Sequence, residues 1–557
     1  MCKFPKGNAD FKEIREEGLV YIDKTKYIEI LENSSNKSVH FLRPRRFGKS
    51  LFTSMLECYY DVNMADSFDK LFQGTYIHAR PTKKRNQSYV LKFNFAGLGG
   101  KHGEELERVF DKKVHLYISA FCEKYGFENK IPSNYNGALA LFNLIQILRN
   151  KIKDHKVYVL IDEYDNFAND MLSFDLEEFA NATQSDGFVR SFYEELKNGT
   201  DGVIERIFIT GVSPITLDSM TSGFNISTNL SLDPRFNEAL GFTTAEMQYL
   251  ISLVDTHEAP EDTLKKMKGY YNGYRFSEDA TNYVYNPNMA LYYLDYIQSF
   301  HKEPKSLIDP NIYSDYNRIK NLLRIKPNQE QSDALLEIIT NGKIECPLTL
   351  SYNLQKDFTK NDFISLLYYL GYLTIYDYNY DGTIFKVPND VIQDIYFDYF
   401  VEMLKENYQV YSNEYTLAIK QILDDQKNDN LVSCIEKTLV SMDNRDFINF
   451  NEKIIKAIIT NIFTPSRYIR LKNEYPVEKG YIDLALFPED NRKPIILIEL
   501  KYIKSGDFNE VKLQEKREEA YKQLLDYGSA KEFKEKNIIK WILIFSKGIC
   551  VLNETIL

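Results

Sequence analysis

The chain has 557 residues, of which 44% are hydrophobic and 27% charged, and this globular composition excludes a wholly disordered or fibrous protein. At roughly 150 residues per domain, the length predicts about three or four domains. The net charge of -11 excludes a protein coated in basic surface but leaves room for a local basic cleft. No apolar run approaches the roughly 18 residues needed to span a bilayer, so we expect no contact with a membrane.

Cysteine and histidine usage narrows the chemistry further. The six cysteines are far apart, without CxxC or zinc-ligand spacing, which predicts reduced thiols in a cytoplasm. Residues 1–18 contain no apolar stretch of the secretory kind, so we expect no secretory signal. All seven histidines lie at or before His301. Chemistry beyond that point must therefore use carboxylates, lysine, amides or hydroxyls.

Residues 1–300 alternate short apolar runs with helical patterns. More than 25 residues separate successive runs, which lie at 38–42, 89–95, 157–162 and 206–212. Short apolar runs of this kind are typical of buried parallel strands, and the spacing allows a crossover helix between each pair. The pattern predicts an α/β fold with a doubly wound parallel sheet.

The segment 39–56 reads as strand, loop and helix, and its loop resembles a phosphate-binding loop. In a Walker A loop, backbone amides surround the phosphates, a lysine reaches the β and γ oxygens, and a hydroxyl ligates Mg²⁺. Arginine replaces the first glycine of the pattern, and two further arginines follow it. The predicted nucleotide-binding residues are Arg43, Arg45, Arg46, Gly48, Lys49 and Ser50.

Two later strands end in polar residues that complete a nucleotide site. Asp162 and Glu163 close the run at 157–162. In Walker B chemistry the aspartate belongs to the Mg²⁺ shell, and the glutamate orients or deprotonates the attacking water. Thr210, on the next strand, is placed like a sensor hydroxyl. Each feature alone occurs by chance in ordinary proteins, but their order along the chain favours an ATP site.

Residues 1–300 resemble the AAA-ATPase-like family of bacterial and archaeal P-loop proteins, related to the STAND and archaeal ATPase groups. The resemblance lies in the motifs VYIDKTKYI (20–28), FLRPRRFGKSLF (41–52), LIDEYDNF (160–167), FITGVSPI (208–215), SLDPRFNEALGFT (231–243), YNGYRFS (271–277) and VYNP (284–287). An arginine-rich loop is usual in that family.

The family resemblance implies roles for individual residues of the nucleotide site. It implies ATP binding by Lys49 and Ser50, Mg²⁺ binding by Ser50 and Asp162, and hydrolysis through Glu163. A trans-acting arginine is not assigned by the resemblance. Arg235 and Arg275 are both candidates, and either could be structural.

The middle region, residues 301–435, predicts a helical connector that contains a winged-helix-like unit. Residues 361–388 read as a helix followed by two strands, with a turn at 379–382. The acidic Asp377 and Asp381 do not suit a wing that grips phosphates. We therefore favour a packing module that joins two larger domains over a nucleic-acid-binding wing.

The last region, residues 436–557, predicts a compact α/β module with a helix at 446–463 and another at 510–528. Between them, Asp483 lies on one strand of a hairpin and Glu499 and Lys501 on the next. Alternation of side chains places Glu499 and Lys501 on one face. Two carboxylates on one face of apolar strands are costly unless a cation neutralises them. The pattern predicts a divalent-cation site beside a lysine, or else an exposed ion-pair cluster or decayed site.

Asp, a gap, then Glu-x-Lys is the signature of the PD-(D/E)xK nuclease superfamily. Residues 436–557 resemble the nuclease-like module commonly fused behind this ATPase family. The resemblance implies that Asp483 and Glu499 bind Mg²⁺ or Mn²⁺, and that Lys501 stabilises charge at the cleaved phosphate. It also adds Glu452 and Gln523 to the site, although a solvated helix acid explains Glu452 equally well.

The sequence therefore predicts a cytoplasmic fusion of an ATPase domain (1–300), a connector (301–435) and a nuclease-like domain (436–557). The expected function is ATP binding and hydrolysis coupled to Mg²⁺-dependent cleavage of nucleic acid, with DNA favoured over RNA. Defence against foreign DNA is the inferred role, with mobile-element and repair functions as rivals. The alternative is a nucleotide-dependent switch whose last domain binds nucleic acid or a protein without cutting. A homo-oligomer is left open.

Overall fold

The computed structural model describes most of the chain, which divides into two compact units, 1–334 with 343–392 and 335–342 with 393–557. The described residues are 2–98, 103–166, 187–214, 226–256, 259–310, 329–352, 358–407, 412–441, 452–463, 466, 468–477, 480–530, 533–534 and 536–556. Residues 446–451 of the predicted helix 446–463 lie outside this set. So do Phe167, the last residue of the motif at 160–167, and Ile215, the last residue of the motif at 208–215.

The first unit is built on a five-stranded parallel sheet. Its strands are β1 (Ser38–Leu42), β2 (Ser88–Asn94), β3 (Lys156–Asp162), β4 (Ile204–Gly211) and β5 (Ser227–Asn229). They lie in the order β2-β3-β4-β1-β5, and every pair is parallel. β1 is buried along its whole length, and its sequence is mostly apolar, with Ser38 and His40 as buried polar residues. The predicted α/β fold with a parallel sheet is confirmed.

Helices connect and flank these strands in the first part of the chain. They are α1 (Phe11–Glu16), α2 (Lys26–Glu32), α3 (Lys49–Tyr60), α4 (Phe68–Phe72), α5 (Tyr76–Ala79), α6 (Gly103–Tyr125), α7 (Gly137–Lys151), α8 (Phe188–Gly199), α9 (Thr244–Ser252), α10 (Pro260–Tyr271) and α11 (Pro287–Phe300). A separate apolar cluster joins the last three of them around Met247, Met267 and Tyr293. No helix in the described part of the chain has the length and apolar character needed to cross a membrane.

The middle of the chain adds a small antiparallel sheet to the first unit. After α12 (Gln329–Asn341) come β6 (Lys343–Cys346), α13 (Lys360–Tyr369), β7 (Thr374–Tyr378) and β8 (Thr383–Lys386). The strands lie in the order β6-β8-β7. The turn of the hairpin is closed by the Asn379 amide, which donates to the Gly382 carbonyl at 2.9 Å. The predicted winged-helix-like helix and hairpin are present, with β6 as an additional strand.

The second unit contains a five-stranded mixed sheet with helices around it. The helices are α14 (Asp390–Asn407), most of which lies in this unit, α15 (Ser412–Asp425), α16 (Asp429–Ser441), α17 (Glu452–Phe463) and α18 (Glu510–Gly528). The strands are β9 (Ile469–Val477), β10 (Gly480–Pro488), β11 (Ile495–Tyr502), β12 (Ile538–Ser546) and β13 (Ile549–Ile556), in the order β13-β12-β11-β10-β9.

β11 and β12 pair in parallel, with α18 between them in the sequence, and the other pairs are antiparallel. The central strands bury Leu497 and Ile542 against Ala520 and Leu524 of α18. The sequence predicted a hairpin between the two helices of this region and did not predict β9 and β13. Both are edge strands with largely exposed or half-buried side chains, so their sequences lack the apolar runs that mark a buried strand.

Candidate functional site

The loop between β1 and α3 has the conformation of an anion site at a helix N-terminus. Gly48 precedes α3 with φ 93°, a left-handed conformation that glycine adopts without steric cost. No side chain caps the first turn of α3. Its backbone amides are therefore available to an anionic ligand, which the helix dipole also favours.

Lys49 begins α3 and is directed back into the loop. Its ammonium donates to the Arg43 and Pro44 carbonyls, each at 3.0 Å, and the side chain is buried. Burial lowers the pKa of Lys49 to about 8, while the nearby charges of Asp162, Asp165 and Glu163 act in the opposite direction. The buried ammonium thus lies within the electrostatic field of the acids that follow β3.

Arg43 differs from its predicted role as a phosphate-facing residue. Its side chain is 1% exposed. The guanidinium donates to three backbone carbonyls, those of Leu42, Ser231 and Phe236, at 2.8, 2.8 and 2.9 Å. The ring of Phe276 stacks on it at 4.1 Å. Because the Arg43 amide still pairs with the Gly211 carbonyl at the end of β4, this residue continues the sheet and its side chain enters the core.

The acidic pair after β3 has a constrained geometry. Asp162 is 1% exposed, and its Oδ1 accepts from the Glu163 amide at 3.0 Å. Glu163 has φ 52°, an uncommon conformation for a residue other than glycine, of the kind that clusters at functional sites. Asn166 donates to Glu163 Oε2 at 3.0 Å. Burial, and then the charge of Asp162, raise the pKa of Glu163.

Asp165 is a site residue that sequence reasoning missed. Its buried carboxylate accepts from the amides of Val212 and Ser213, at 3.1 and 2.9 Å from Oδ2, and from the Ser213 hydroxyl at 3.2 Å. The Tyr164 hydroxyl donates to the Ser213 carbonyl at 2.5 Å. These contacts attach the loop after β3 to the end of β4. A third acid in an acidic run gives no sequence signal of this role.

Thr210 lies on β4, between the strands that carry the loop and the acidic pair. Its side chain is 1% exposed, and the hydroxyl donates to the Phe41 carbonyl of β1 at 2.8 Å. The hydroxyl is therefore engaged in tying β4 to β1. A role as a sensor of the bound nucleotide stays a prediction.

A cavity of about 410 Å³ joins much of the predicted nucleotide site, and this volume lies in the range of small-ligand pockets. Predicted residues that line it are Arg45, Arg46, Gly48, Lys49, Ser50 and Glu163. Its apolar lining includes Val20, Ile22, Leu240, Phe242 and Leu291. One part of the lining thus carries phosphate-binding groups, and another offers an apolar surface that suits a nucleobase.

The two arginines considered for a trans-acting role have contacts within the first unit. Arg235 is ion-paired with Asp233 at 2.6 Å and is largely exposed. Arg275 donates to the Ala280 and Ile375 carbonyls at 3.2 Å, and to that of Tyr376. These bonds give Arg275 a structural role, because they join β7 to the segment that precedes α11.

The predicted carboxylates of the second unit gather around β10 and β11. Asp483 Oδ2 accepts from the Leu500 amide at 2.9 Å, which ties the two strands together. Lys501 donates to Glu499 Oε1 at 2.8 Å. From the first turn of α17, Glu452 Oε1 accepts from the Tyr502 amide at 3.2 Å. The helix acid and the strand residues therefore belong to one cluster.

Glu499 is the most buried acid of this cluster. Its side chain is 2% exposed, and its Oε2 is buried without a hydrogen-bond partner among the described residues. Burial, and then the charge of Asp483, raise the pKa of Glu499 to about 8. For Lys501, burial opposes the charged form, but Glu499, Asp483 and Glu452 together outweigh burial and raise the pKa. An unpartnered carboxylate oxygen beside a second acid is suited to a hard cation.

Gln523 lies on α18, the helix that packs on β11 and β12. Its Oε1 is buried, and no residue that the structure describes forms a hydrogen bond with it. The predicted polar role of Gln523 remains a prediction.

Lys456 and Glu474 belong to the same cluster and were missed from the sequence. The Lys456 ammonium lies 2.6 Å from Asp483 Oδ1 and also contacts the Glu474 carboxylate of β9. Among the described residues, no group of three Asp, Glu, His or Cys side chains is arranged to hold a metal ion. The oxygen donors fit a divalent cation in kind, but the structure pairs Asp483 and Glu499 with lysines. The signal available in the sequence was the spacing of Glu452 and Lys456, one helical turn apart.

Comparison with known proteins identifies both domains. Residues 5–221 match the family model described as a predicted AAA-ATPase, and residues 450–555 match the PD-(D/E)XK nuclease superfamily. The chain therefore combines an AAA-ATPase-like domain with a C-terminal domain of the PD-(D/E)XK nuclease superfamily, as its motifs predicted.

A curated relative and a solved structure are also similar to this chain. An uncharacterized protein in the vnfD 5' region of Azotobacter chroococcum mcd 1 is 29% identical over 288 residues. The match covers 51% of this chain and 50% of the relative, so the chain spans about half of that protein's length. The Aeropyrum pernix ORC2 protein, solved as ADPNP–ADP complexes, is 13% identical with a TM-score of 0.30. It covers 69% of this chain and 93% of its own.

Proposed function

We propose that the first unit binds and hydrolyses ATP and that the second unit cleaves nucleic acid with the help of a divalent cation. The observation that carries the proposal is the grouping of distant residues in each unit. Lys49 and Glu163 line one cavity. Asp483, Glu499 and Lys501 form one cluster around a Glu499 oxygen that has no hydrogen-bond partner in the described part of the chain.

In the ATPase site, Lys49 and the amides at the start of α3 hold the phosphates. Ser50 and Asp162 are the residues that would hold Mg²⁺, which when bound supplies neutralisation of the phosphate charge. Glu163 orients the attacking water and accepts its proton, and Asn166 fixes one oxygen of that carboxylate. The apolar part of the cavity receives the nucleobase.

In the nuclease site, Asp483 and Glu499 are the residues that would hold Mg²⁺ or Mn²⁺, and Glu452 lies beside them in the cluster. When bound, the cation supplies Lewis acidity at the phosphodiester. Lys501, buried beside Glu499, stabilises the negative charge that develops on the phosphate during cleavage. Gln523 contributes a buried amide. DNA is the proposed substrate, and the proposed role is cytoplasmic defence against foreign DNA.

A second candidate function is a nucleotide-dependent switch whose last domain binds nucleic acid or a protein without cutting it. One observation favours it. Lys456 already pairs with Asp483 at 2.6 Å, so the acid that a cation would need is neutralised by the protein itself. The net charge of -11 points the same way, because phosphate contacts dominate nucleic-acid affinity.

A nicking assay separates the two functions. Supercoiled DNA and labelled RNA are incubated with the purified chain in Mg²⁺ or Mn²⁺, beside the Lys501→Met variant. Cleavage by the parent chain that is lost in the variant supports the nuclease. Retention of DNA on a filter without cleavage, unchanged by the variant, supports the switch and contradicts the nuclease.

A further inference from the structure

Lys456 is an almost fully buried lysine within the acidic cluster of the second unit. It lies on α17, one turn after Glu452, so both side chains project from the same face of the helix. The residue is 8% exposed, and its ammonium lies 2.6 Å from Asp483 Oδ1. A buried ammonium is retained only where acids compensate for its loss of hydration. Here two acids, Asp483 and Glu474, contact the ammonium.

Glu474 is the second acid on Lys456 and has an unusual backbone. It lies on β9, and its φ of 45° is left-handed. Residues other than glycine rarely adopt this conformation, and it persists where the surroundings impose it. The Glu474 side chain is 51% exposed, whereas that of Asp483 is 14% exposed. Lys456 is therefore shared between an inner acid and an outer one.

We infer that Lys456 is an internal counter-cation that occupies the oxygen of Asp483 which a divalent cation needs. This inference rests on the proposed cation site. Mg²⁺ lies about 2.0–2.1 Å from its oxygen ligands, so an ammonium 2.6 Å from Asp483 Oδ1 competes for the same position. When a cation binds, the ammonium gives up Asp483 and keeps its contact with Glu474, which the flexible lysine stem allows.

The charge balance of the cluster shows why such a counter-cation is needed. The carboxylates of Glu452, Glu474, Asp483 and Glu499 converge with the ammonium groups of Lys456 and Lys501. Without Lys456, the buried Lys501 and the half-buried Lys453 would be left to balance the acids of the cluster. The added negative charge would strengthen the attraction for a divalent cation. Lys456 therefore stabilises the cation-free site and lowers its affinity for metal.

The test is a calorimetric titration of Mn²⁺ into the full chain, the Lys456→Met and Glu474→Gln variants, and Lys420→Met as a control. Lys420 is an exposed lysine on α15. Lys456→Met should bind Mn²⁺ about tenfold or more tightly, because a competing charge is removed. Glu474→Gln should bind it about threefold more weakly, because Lys456 then pairs with Asp483 alone. Lys420→Met should match the parent.

Equal or weaker Mn²⁺ binding by Lys456→Met would overturn the inference. If that variant does not fold, Glu474→Gln decides, and unchanged or tighter binding there overturns it. Failure of the proposed nuclease is distinguishable. Mn²⁺ binding with these opposite shifts, but without cleavage of DNA or RNA, removes the nuclease and keeps the inference. Absence of Mn²⁺ binding in every variant overturns both.

Discussion

Gly371 lies so close to Pro44 that a Cβ atom at position 371 would be 2.8 Å from the Pro44 Cβ. Gly371 follows α13 with φ 86°, and Pro44 belongs to the loop between β1 and α3. Nearby, the Tyr368 hydroxyl donates to the carbonyl of Phe276, whose ring stacks on Arg43. Helix α13 and the residues that follow it thus support the loop between β1 and α3 from within the first unit.

Gly371→Ala should therefore disturb the loop as well as the helix end. Gly74→Ala is the matched control, because Gly74 has φ 80° but open space around its missing Cβ. Both alanines impose left-handed strain of about 1–2 kcal/mol. Overlap with Pro44 adds about 1–3 kcal/mol in Gly371→Ala alone, with weaker ATP binding. Equal melting temperatures and ATP affinities of the two variants would contradict the support.

Lys49→Ala should remove most ATP binding, because the ammonium that begins α3 faces the phosphate position. Lys37→Ala, at an exposed lysine just before β1, should bind ATP as the parent does. The measurement is calorimetric titration of ATP. An affinity in Lys49→Ala equal to that in Lys37→Ala would show that the nucleotide, if bound, does not use this loop.

Glu163→Gln should bind ATP with parental affinity and hydrolyse it about 100-fold more slowly, since an amide cannot accept the proton of the attacking water. The pH dependence has a definite sign. The pKa of Glu163 is raised by burial and by Asp162, so turnover should fall as the pH drops through that raised value. The fall in turnover should begin at a higher pH than for an ordinary glutamate, whose pKa is about 4.3.

Steady-state ATP turnover across pH provides the check on that prediction. In Glu163→Gln this acidic limb should be absent from whatever activity remains. Turnover at the parental rate in the variant would exclude Glu163 as the proton acceptor.

Arg43→Met should mainly lower the melting temperature, whereas Arg46→Met should mainly weaken ATP binding. Arg43 donates to three buried carbonyls, so its loss should lower the melting temperature strongly, at about 1–3 kcal/mol for each acceptor left unsatisfied. Arg46 lines the cavity, so its loss should weaken ATP binding with a smaller change in melting temperature. Thermal unfolding and ATP titration of both variants distinguish these outcomes. A stable Arg43→Met with reduced ATP affinity would restore Arg43 to the phosphate site.

The central strands of both sheets were predictable because burial on two faces favours a run of apolar residues, as in β3 and β11. β5 was not, since Ser227–Asn229 contains no apolar residue and is placed by pairing with β1. β9 and β13 were not predicted from the sequence either, because edge strands keep many side chains exposed.

The candidate sites show a similar division. Spacing along a strand brought Glu499 and Lys501 onto one face, and the structure pairs them at 2.8 Å. The direction of Arg43 could not be read from the sequence, because it depends on the pairing of its amide with Gly211. The spacing of Glu452 and Lys456 places both on one face of α17, but the contact of Lys456 with Asp483 depends on the distance between α17 and β10, which only the tertiary packing sets.

Metal-dependent cleavage of end-labelled DNA, with and without ATP, is the most direct test. It compares four forms of the full chain. These are the parent, Lys49→Ala, Glu499→Gln and the exposed-site control Lys420→Met. We expect the parent and Lys420→Met to cleave DNA in Mg²⁺ or Mn²⁺ alone or with ATP, and Glu499→Gln to lose cleavage. ATP should change the extent of DNA cleavage by the parent, whereas Lys49→Ala should cleave DNA to the same extent with and without ATP. Equal product from Glu499→Gln and the parent, or no metal-dependent product from any form, would contradict the proposed nuclease.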